Sequence, residues 1–262
     1  MAAHQPVKTS SSNVSILTYH SISHEPGPTS ISPDIFREQM DMIEECGCTV
    51  LSLSDFSDWH HGKTALPHQP VVITFDDGFA DFADEAFPCL KSHGWSATVF
   101  LPSGKIGGAE EWQGANEKPR RLLSWSQVKE LSDEGISFGG HSVTHADLTQ
   151  LSQERLNTEI RDCQDEIAQA TGKKPTSFAP PYGHANPEVR SQIAKVYDIS
   201  VGTQLNRAAA DCDLYEVPRI EMYYFRDPNL WRSHLKGSAK WYLGTRRLLR
   251  GVKQIAHARM GA

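Results

Sequence analysis

The sequence predicts an α/β fold built from strand–helix units around a largely parallel sheet, and three observations carry that prediction. Short apolar strands alternate with helices of roughly 10–18 residues, the pattern of repeated βα units. Polar residues stand directly after several of the strands, at His20, Asp76, Asp77 and His141, and a barrel would gather such strand ends on one face. The chain has 262 residues, 39% of them hydrophobic, enough for one large domain with a full core and too few for two.

The elements follow in order. After a polar start, expected to be disordered through residue 13, Val14 to Tyr19 (VSILTY) reads as the first strand, with His20 at its C-terminal end. A turn-rich stretch holding Pro26, Gly27, Pro28 and Pro33 leads to Ser32, a cap for a helix running to about Cys46 with Ile35, Met40 and Ile43 on one face. Thr49 to Leu53 is a second short strand, and Ser54 a cap for a short helix through Trp59. The run VVITF, from Val71 to Phe75, is β-branched and apolar, hence a buried strand, and it delivers Asp76, Asp77 and Gly78 to its end. A helical stretch through Leu90, the strand ATVFL (97–101) and a glycine- and charge-rich loop from Pro102 to Pro119 come next. A loop of that length reads as a functional rim. Ser124-Trp125 opens a helix ending at Gly135, and Ile136 to Gly140 is a short strand leading into His141. A long helix follows from about Ser152 to Ala170, closed by Gly172 and Pro175. Pro180-Pro181-Tyr182-Gly183, a helix from Pro187 to Val196, and strands near Ile199 and Val217 complete the domain.

Composition excludes several function classes. Residues 228–262 carry eight Lys or Arg and no Asp or Glu, leaving 18 positive against 32 negative residues in the rest. An acidic body is a poor match for nucleic acid, whose affinity rests on neutralising phosphates. No apolar run reaches the roughly 18 residues of a membrane span, and MAAHQPVKTSSSN lacks the basic start and apolar core of a signal peptide. Five scattered cysteines, Cys46, Cys48, Cys89, Cys163 and Cys212, do not form a disulfide framework and suit a reducing compartment. A cytoplasmic location is therefore expected, peripheral to the inner membrane if the basic tail engages it. That tail, residues 231–262, is expected to form an amphipathic helix: Trp241, Leu248, Val252 and Ile255 share one face, with Arg246, Arg247, Arg250 and Lys253 mostly elsewhere. Such a helix either lies on an anionic membrane surface or packs across the barrel bottom with a solvated basic face.

The chemistry concentrates in two places. His141 and His145 are four apart, a spacing that sets two imidazoles on one side of a helical turn. Two histidines and a carboxylate make a ligand set that leaves coordination positions open to water and substrate. Taken alone, H-x-x-x-H is more often a pair of surface histidines in a loop, and Asp-Asp-Gly a turn. Together, with Gly139-Gly140 allowing close backbone approach, they read as a catalytic divalent-metal site. Adjacent aspartates at a strand end point in different directions, so one can ligate while its neighbour takes a proton from water.

Thr74-Phe75-Asp76-Asp77-Gly78, His141-Ser142-x-x-His145 and Pro180-Pro181-Tyr182-Gly183 occur in the order and approximate spacing of the polysaccharide deacetylase family, carbohydrate esterase family 4, which the chain resembles over about residues 14–221. The resemblance implies a distorted (β/α)7 barrel, with a catalytic domain over 14–230, that removes acetyl groups from an N-acetylated sugar or polysaccharide precursor. It implies a divalent cation, most often zinc, with cobalt, nickel or manganese as alternatives, held by Asp77, His141 and His145. Asp76 would be the general base, and the backbone N–H of Tyr182 would help hold the oxyanion.

Two positions depart from the family. The third motif in many relatives opens with an arginine that orients the base, and Ala179 stands there. Arg219, at the end of the strand Val217-Pro218-Arg219-Ile220, is the replacement the sequence offers, or else it makes a surface salt bridge. The usual late histidine in a Leu-x-His context is also missing. Leu17-Thr18-Tyr19-His20 resembles a branch in which an N-terminal Tyr-His supplies the general acid, so His20 is preferred to His234. Trp112, Tyr223 and Tyr224 are candidates to stack on sugar, Trp125 is expected in the core, and His184 either lines the cleft or is exposed. The rival readings are a ureide-type amidase on the same scaffold, an iron(II) oxygenase, and a saccharide-binding protein that has lost catalysis through Ala179. Oligomeric state has no signature in the sequence.

Overall fold

The computed structural model describes residues 13–249, apart from 113, 116 and 240. Residues 1–12 of the start expected to be disordered, and the portion of the basic tail beyond residue 249, lie outside the described residues; Asn13, also expected in the disordered start, instead opens the first strand. The first strand, β1 (Asn13–Tyr19), is buried at every position after its first. Two short parallel strands, β2 (Ser21–Ile22) and β3 (Ser30–Ile31), bracket the Pro/Gly turn. In α1 (Pro33–Glu45) the Ser32 hydroxyl accepts from the Ile35 N–H and proline opens the first turn, as the sequence predicts. After β4 (Thr49–Leu51) comes α2 (Leu53–His60), whose cap is Ser52 rather than Ser54. Ser52 and Asp55 satisfy each other's backbone N–H in a capping box, and Ser54 has no acidic partner three residues on.

The central strand β5 (Pro70–Phe75) leads through a π-helical turn over 82–86 into α3 (Phe87–Ser92), and β6 (Thr98–Leu101) follows. Ser124 and Gln127 cap α4 (Trp125–Asp133), which precedes β7 (Ser137–Gly140). The long α5 (Gln153–Thr171) ends at Gly172, whose φ of 73° is the left-handed cap that glycine takes without strain. β8 (Ser177–Phe178), α6 (Pro187–Ile193), β9 (Ile199–Leu205), β10 (Ala208–Ala209), β11 (Val217–Glu221) and α7 (Pro228–Leu235) complete the fold. A further helical run covers 241–249.

Pairing closes the sheet. β1 pairs in parallel with both β5 and β11, and the ring β1-β5-β6-β7-β8-β9-β11 is parallel throughout. This is the seven-stranded barrel expected, distorted by a two-residue β8 and a register shift between Val217 and Arg219. β4 adds outside the ring on β5, and β10 runs antiparallel on β1.

The period-two alternation of the strands explains where the chemistry goes. On β1, Leu17 and Tyr19 face the helices and join the larger core cluster, whereas Val14 and Ile16 fill the barrel interior. The next two positions on that inner row are Thr18 and His20. On β5, Val71, Ile73 and Phe75 pack outward and Val72 inward, so the inner row continues to Thr74 and Asp76. On β11, Val217 is inward and Ile220 outward, placing Arg219 and Glu221 on the inner row. The register pairs Thr18 with Thr74 and with Glu221. The interior is thus an apolar plug at the N-terminal end that turns polar at the C-terminal mouth.

Candidate active site

A cleft of about 340 Å³ opens at that mouth, and all seven site residues expected from the sequence line it: His20, Asp76, Asp77, His141, His145, Tyr182 and Arg219. Two adjacent residues of a regular strand would face opposite sides. The left-handed conformation of Asp77, φ 73°, breaks the strand there and lets both carboxylates serve one cleft. Of five described non-glycine residues with positive φ, four (Asp77, Ser142, His145 and Tyr182) lie here, where stored backbone strain is characteristic of functional sites.

The Asp77 Oδ1 lies 3.2 Å from His141 Nε2 and 3.2 Å from His145 Nε2, and one donor atom from each of the three residues falls within 4.8 Å of the others. All three are buried. Burial disfavours charge on Asp77, but its contacts with the two imidazoles, His141 first, hold its carboxyl well below the usual carboxylate range. His145, in turn, is pushed down by burial. An ionised carboxylate converging with two Nε2 atoms fits a divalent cation and leaves the cleft side open. The His141 Nδ1–H donates to the Ala179 carbonyl at 2.5 Å, fixing the tautomer that presents Nε2. Ala179 thus contributes its backbone although it lacks the family's side chain. The histidines do not sit on a helical turn, as the spacing suggests; residues 141–147 form an irregular loop. Gly139 and Gly140 do allow close approach, by neighbouring elements: a Cβ at Gly139 would run into the Phe100 ring and the Ser177 carbonyl, and one at Gly140 into the Tyr197 hydroxyl.

Asp76 is held from β11, which lies two strands away in the ring, beyond β1. Arg219 reaches both its oxygens, Nη1 to Oδ1 and Nη2 to Oδ2, each at 2.7 Å. The same guanidinium donates to the Gly202 carbonyl and the Thr74 hydroxyl, leaving it little freedom. Burial pushes the Asp76 carboxyl up, but Arg219 outweighs it and keeps the group below its ordinary value, ionised at neutral pH. The surface salt bridge considered for Arg219 is not what forms; the residue is 3% exposed.

His20 follows Thr18 on the inner row of β1 and lines the cleft, its buried Nδ1 without a hydrogen-bond partner. His234 does not reach the cleft. It packs flat against Trp231 and contacts the Ser15 hydroxyl at the opposite end of β1, and burial lowers it to about 3. Trp112 stacks on His145 with centroids 4.2 Å apart, and Tyr182 meets the same ring edge-on at 4.8 Å. Tyr223 and Tyr224 line the far wall. Trp125 packs on the core as expected, and His184 is exposed, bonded to Asp147.

Sequence reading missed Thr18 and Glu221. Both line the cleft, the Thr18 hydroxyl is buried without a partner, and burial raises the Glu221 carboxyl. The available signal was the alternation itself, since Thr18 precedes His20 by two and Glu221 follows Arg219 by two.

A family model described as polysaccharide deacetylase matches residues 63–200. YxkH of Bacillus subtilis is 27% identical over 208 residues, covering 79% of this chain and 70% of that protein. The poly-beta-1,6-N-acetyl-D-glucosamine N-deacetylase of Staphylococcus epidermidis is 29% identical over 205 residues, 73% of this chain and 67% of that protein. Other relatives are longer, and the chain spans as little as 25% of one of them. Among solved structures, Streptococcus pyogenes deacetylase PplD in complex with acetate superposes with a TM-score of 0.70 at 28% identity, over 79% of this chain and 91% of that one.

Proposed function

The chain belongs to the polysaccharide deacetylase family, and from that premise we propose that it hydrolyses acetyl groups from an N-acetylated saccharide. The observation that carries the proposal is the pairing, within one cleft, of an Asp77–His141–His145 ligand set with an ionised Asp76 clamped by Arg219. Asp77, His141 and His145 would hold a divalent cation, most often zinc in this family, which would supply Lewis acidity toward a water and the acetyl carbonyl. Asp76 takes the proton from the attacking water. The Tyr182 N–H stabilises the developing oxyanion, and His20 delivers a proton to the departing amine. Arg219 stands in for the family arginine absent at Ala179, which favours catalysis over a binding-only role. An open cleft with Trp112, Tyr182, Tyr223 and Tyr224 on its walls suits a sugar better than a small ureide. The clamped Asp76 carboxylate beside the ligands, with His20 in the same cleft, favours hydrolysis over an oxygenase.

Membrane contact is a second part of this reading. Trp241, Leu248 and Leu249 of the 241–249 helix are 66%, 70% and 55% exposed beside Arg246 and Arg247, and Tyr242 ties that helix to the cleft residue Tyr224 through its backbone carbonyl. The contact read here is peripheral, made by this exposed face; no helix among the described residues is long and apolar enough to cross a membrane, and the scattered cysteines favour a reducing compartment. Co-sedimentation with anionic vesicles at low and high salt tests it, and sedimentation that ignores the vesicles rejects it. The activity itself is tested by acetate release from N-acetylated oligosaccharides, which should vanish on chelation and return with zinc. Absence of acetate across a panel of such substrates with zinc present would refute the reading.

A further inference from the structure

Glu159 lies on α5, outside all three motifs, yet its side chain is among the most completely buried charged groups of the protein at 1% exposed. It points into the loop between the two histidine ligands. One oxygen, Oε2, accepts the backbone N–H of Val143 and of Thr144, each at 2.8 Å, and Oε1 accepts the Thr144 hydroxyl at 2.8 Å. Its cationic neighbour, Arg155 at 3.5 Å, is largely solvent-exposed.

The loop needs such an anchor. Ser142 and His145 both hold left-handed conformations, φ 64° and 60°, which non-glycine residues keep only when their surroundings over-determine them. The carbonyls of Ser142 and Val143 are taken by the N–H groups of Ser103 and Gly104, and the His145 N–H by the Ser142 hydroxyl. Glu159 takes the two N–H groups between. The loop is therefore satisfied on both edges, and neither edge relies on the regular hydrogen bonding of a helix or sheet.

We propose that Glu159 is a positioning residue for the metal centre: its carboxylate fixes the strained Ser142–Thr144 backbone and so sets the separation and aim of His141 and His145. The proposal rests on those two histidines being ligands, as argued above. Removing the carboxylate takes away the shared partner of the Val143 and Thr144 N–H groups and of the Thr144 hydroxyl, and the left-handed residues on either side, Ser142 and His145, are then free to relax and carry the His145 ring with them. Glutamine keeps an oxygen able to accept both N–H groups, with the Thr144 hydroxyl rotated to accept from the amide, so the geometry should survive loss of the charge.

The test uses the full chain stripped of metal. Zinc affinity is measured against a chromophoric chelator, and the visible spectrum of the cobalt-loaded protein reports ligand geometry. Glu159→Ala should weaken zinc roughly 10–100-fold, the range for groups that orient ligands from behind, and should shift or flatten the cobalt bands. Glu159→Gln should stay within a few-fold of wild type. Ile167→Val, a core truncation on the same helix, should lower the melting temperature and leave both metal readouts alone. A folded Glu159→Ala protein with wild-type zinc affinity and cobalt spectrum overturns the proposal. Should that variant fail to fold, Glu159→Asp, one methylene too short to reach both N–H groups, is read in its place, and wild-type affinity there overturns the proposal equally. Wild-type protein that binds no zinc would instead sink the ligand assignment itself, which separates the two failures.

Discussion

Arg219→Ala is the sharpest test of how this cleft works. Both members of the Arg219–Asp76 pair are buried, with side chains 2% and 7% exposed. Deleting the cation strands a buried carboxylate, a change that costs about 3–5 kcal/mol, or roughly 6–20 °C in melting temperature at this size. It also reverses the electrostatic balance on Asp76. Burial raises that carboxyl and Arg219 lowers it; with Arg219 gone only the raising influence stays strong. A base protonated at neutral pH cannot accept a proton, and acid–base catalysis contributes about 10²–10⁴ in rate. We therefore expect kcat for acetate release to fall at least 100-fold at pH 7. Because the ionised fraction grows with pH, activity should return in part as pH rises, moving the acidic limb of the pH–rate profile upward. Zinc affinity should change little, since none of the ligands touches Arg219. Arg219→Lys, which keeps charge but not the two-pronged contact, should fall between. A variant with wild-type kcat and an unmoved acidic limb would remove Arg219 from the chemistry.

Three further outcomes are expected. His20→Asn should lower turnover of an N-acetyl sugar about 10²–10⁴-fold while sparing an activated aryl acetate, whose leaving group needs no proton; equal losses on both substrates would deny His20 the acid role. Ala179→Arg adds a long side chain to a fully buried position in the interior cluster that also holds Phe100, the ring Arg219 lies over, so it should destabilise by about 1–3 kcal/mol or more, and combined with Arg219→Ala it should recover part of the lost turnover. An unchanged melting temperature for the single variant would show that the interior has room for both arginines. His234 is held near 3 by burial against about 6.5 in the unfolded chain. The unfolded state therefore binds a proton that the folded state refuses, and stability present above pH 6.5 is lost as pH falls toward 3. Between pH 7 and 4.5 the loss is about 2.5–3 kcal/mol, and His234→Phe should remove most of that slope in urea titrations at the two pH values.

The sequence by itself determined the barrel and most of its mouth. Strand–helix alternation reports backbone periodicity, which is local, and the caps at Ser32, Ser124 and Gly172 are single-residue signals that the structure reproduces. The strand ends His20, Asp76 and His141 were legible for the same reason, because a parallel barrel brings every C-terminal strand end to one face. Tertiary structure decided what local pattern does not encode. That Arg219 meets Asp76, 143 residues away, depends on ring closure through β1 between β5 and β11, a long-range register. That His234 is a core group depends on α7 folding under the opposite end of β1. The histidine loop had the spacing of a helical turn yet adopts two left-handed residues, because its backbone is satisfied by Ser103, Gly104 and the distant carboxylate of Glu159. Periodicity reports which face a residue occupies, whereas partners across the barrel are fixed only once the sheet has closed.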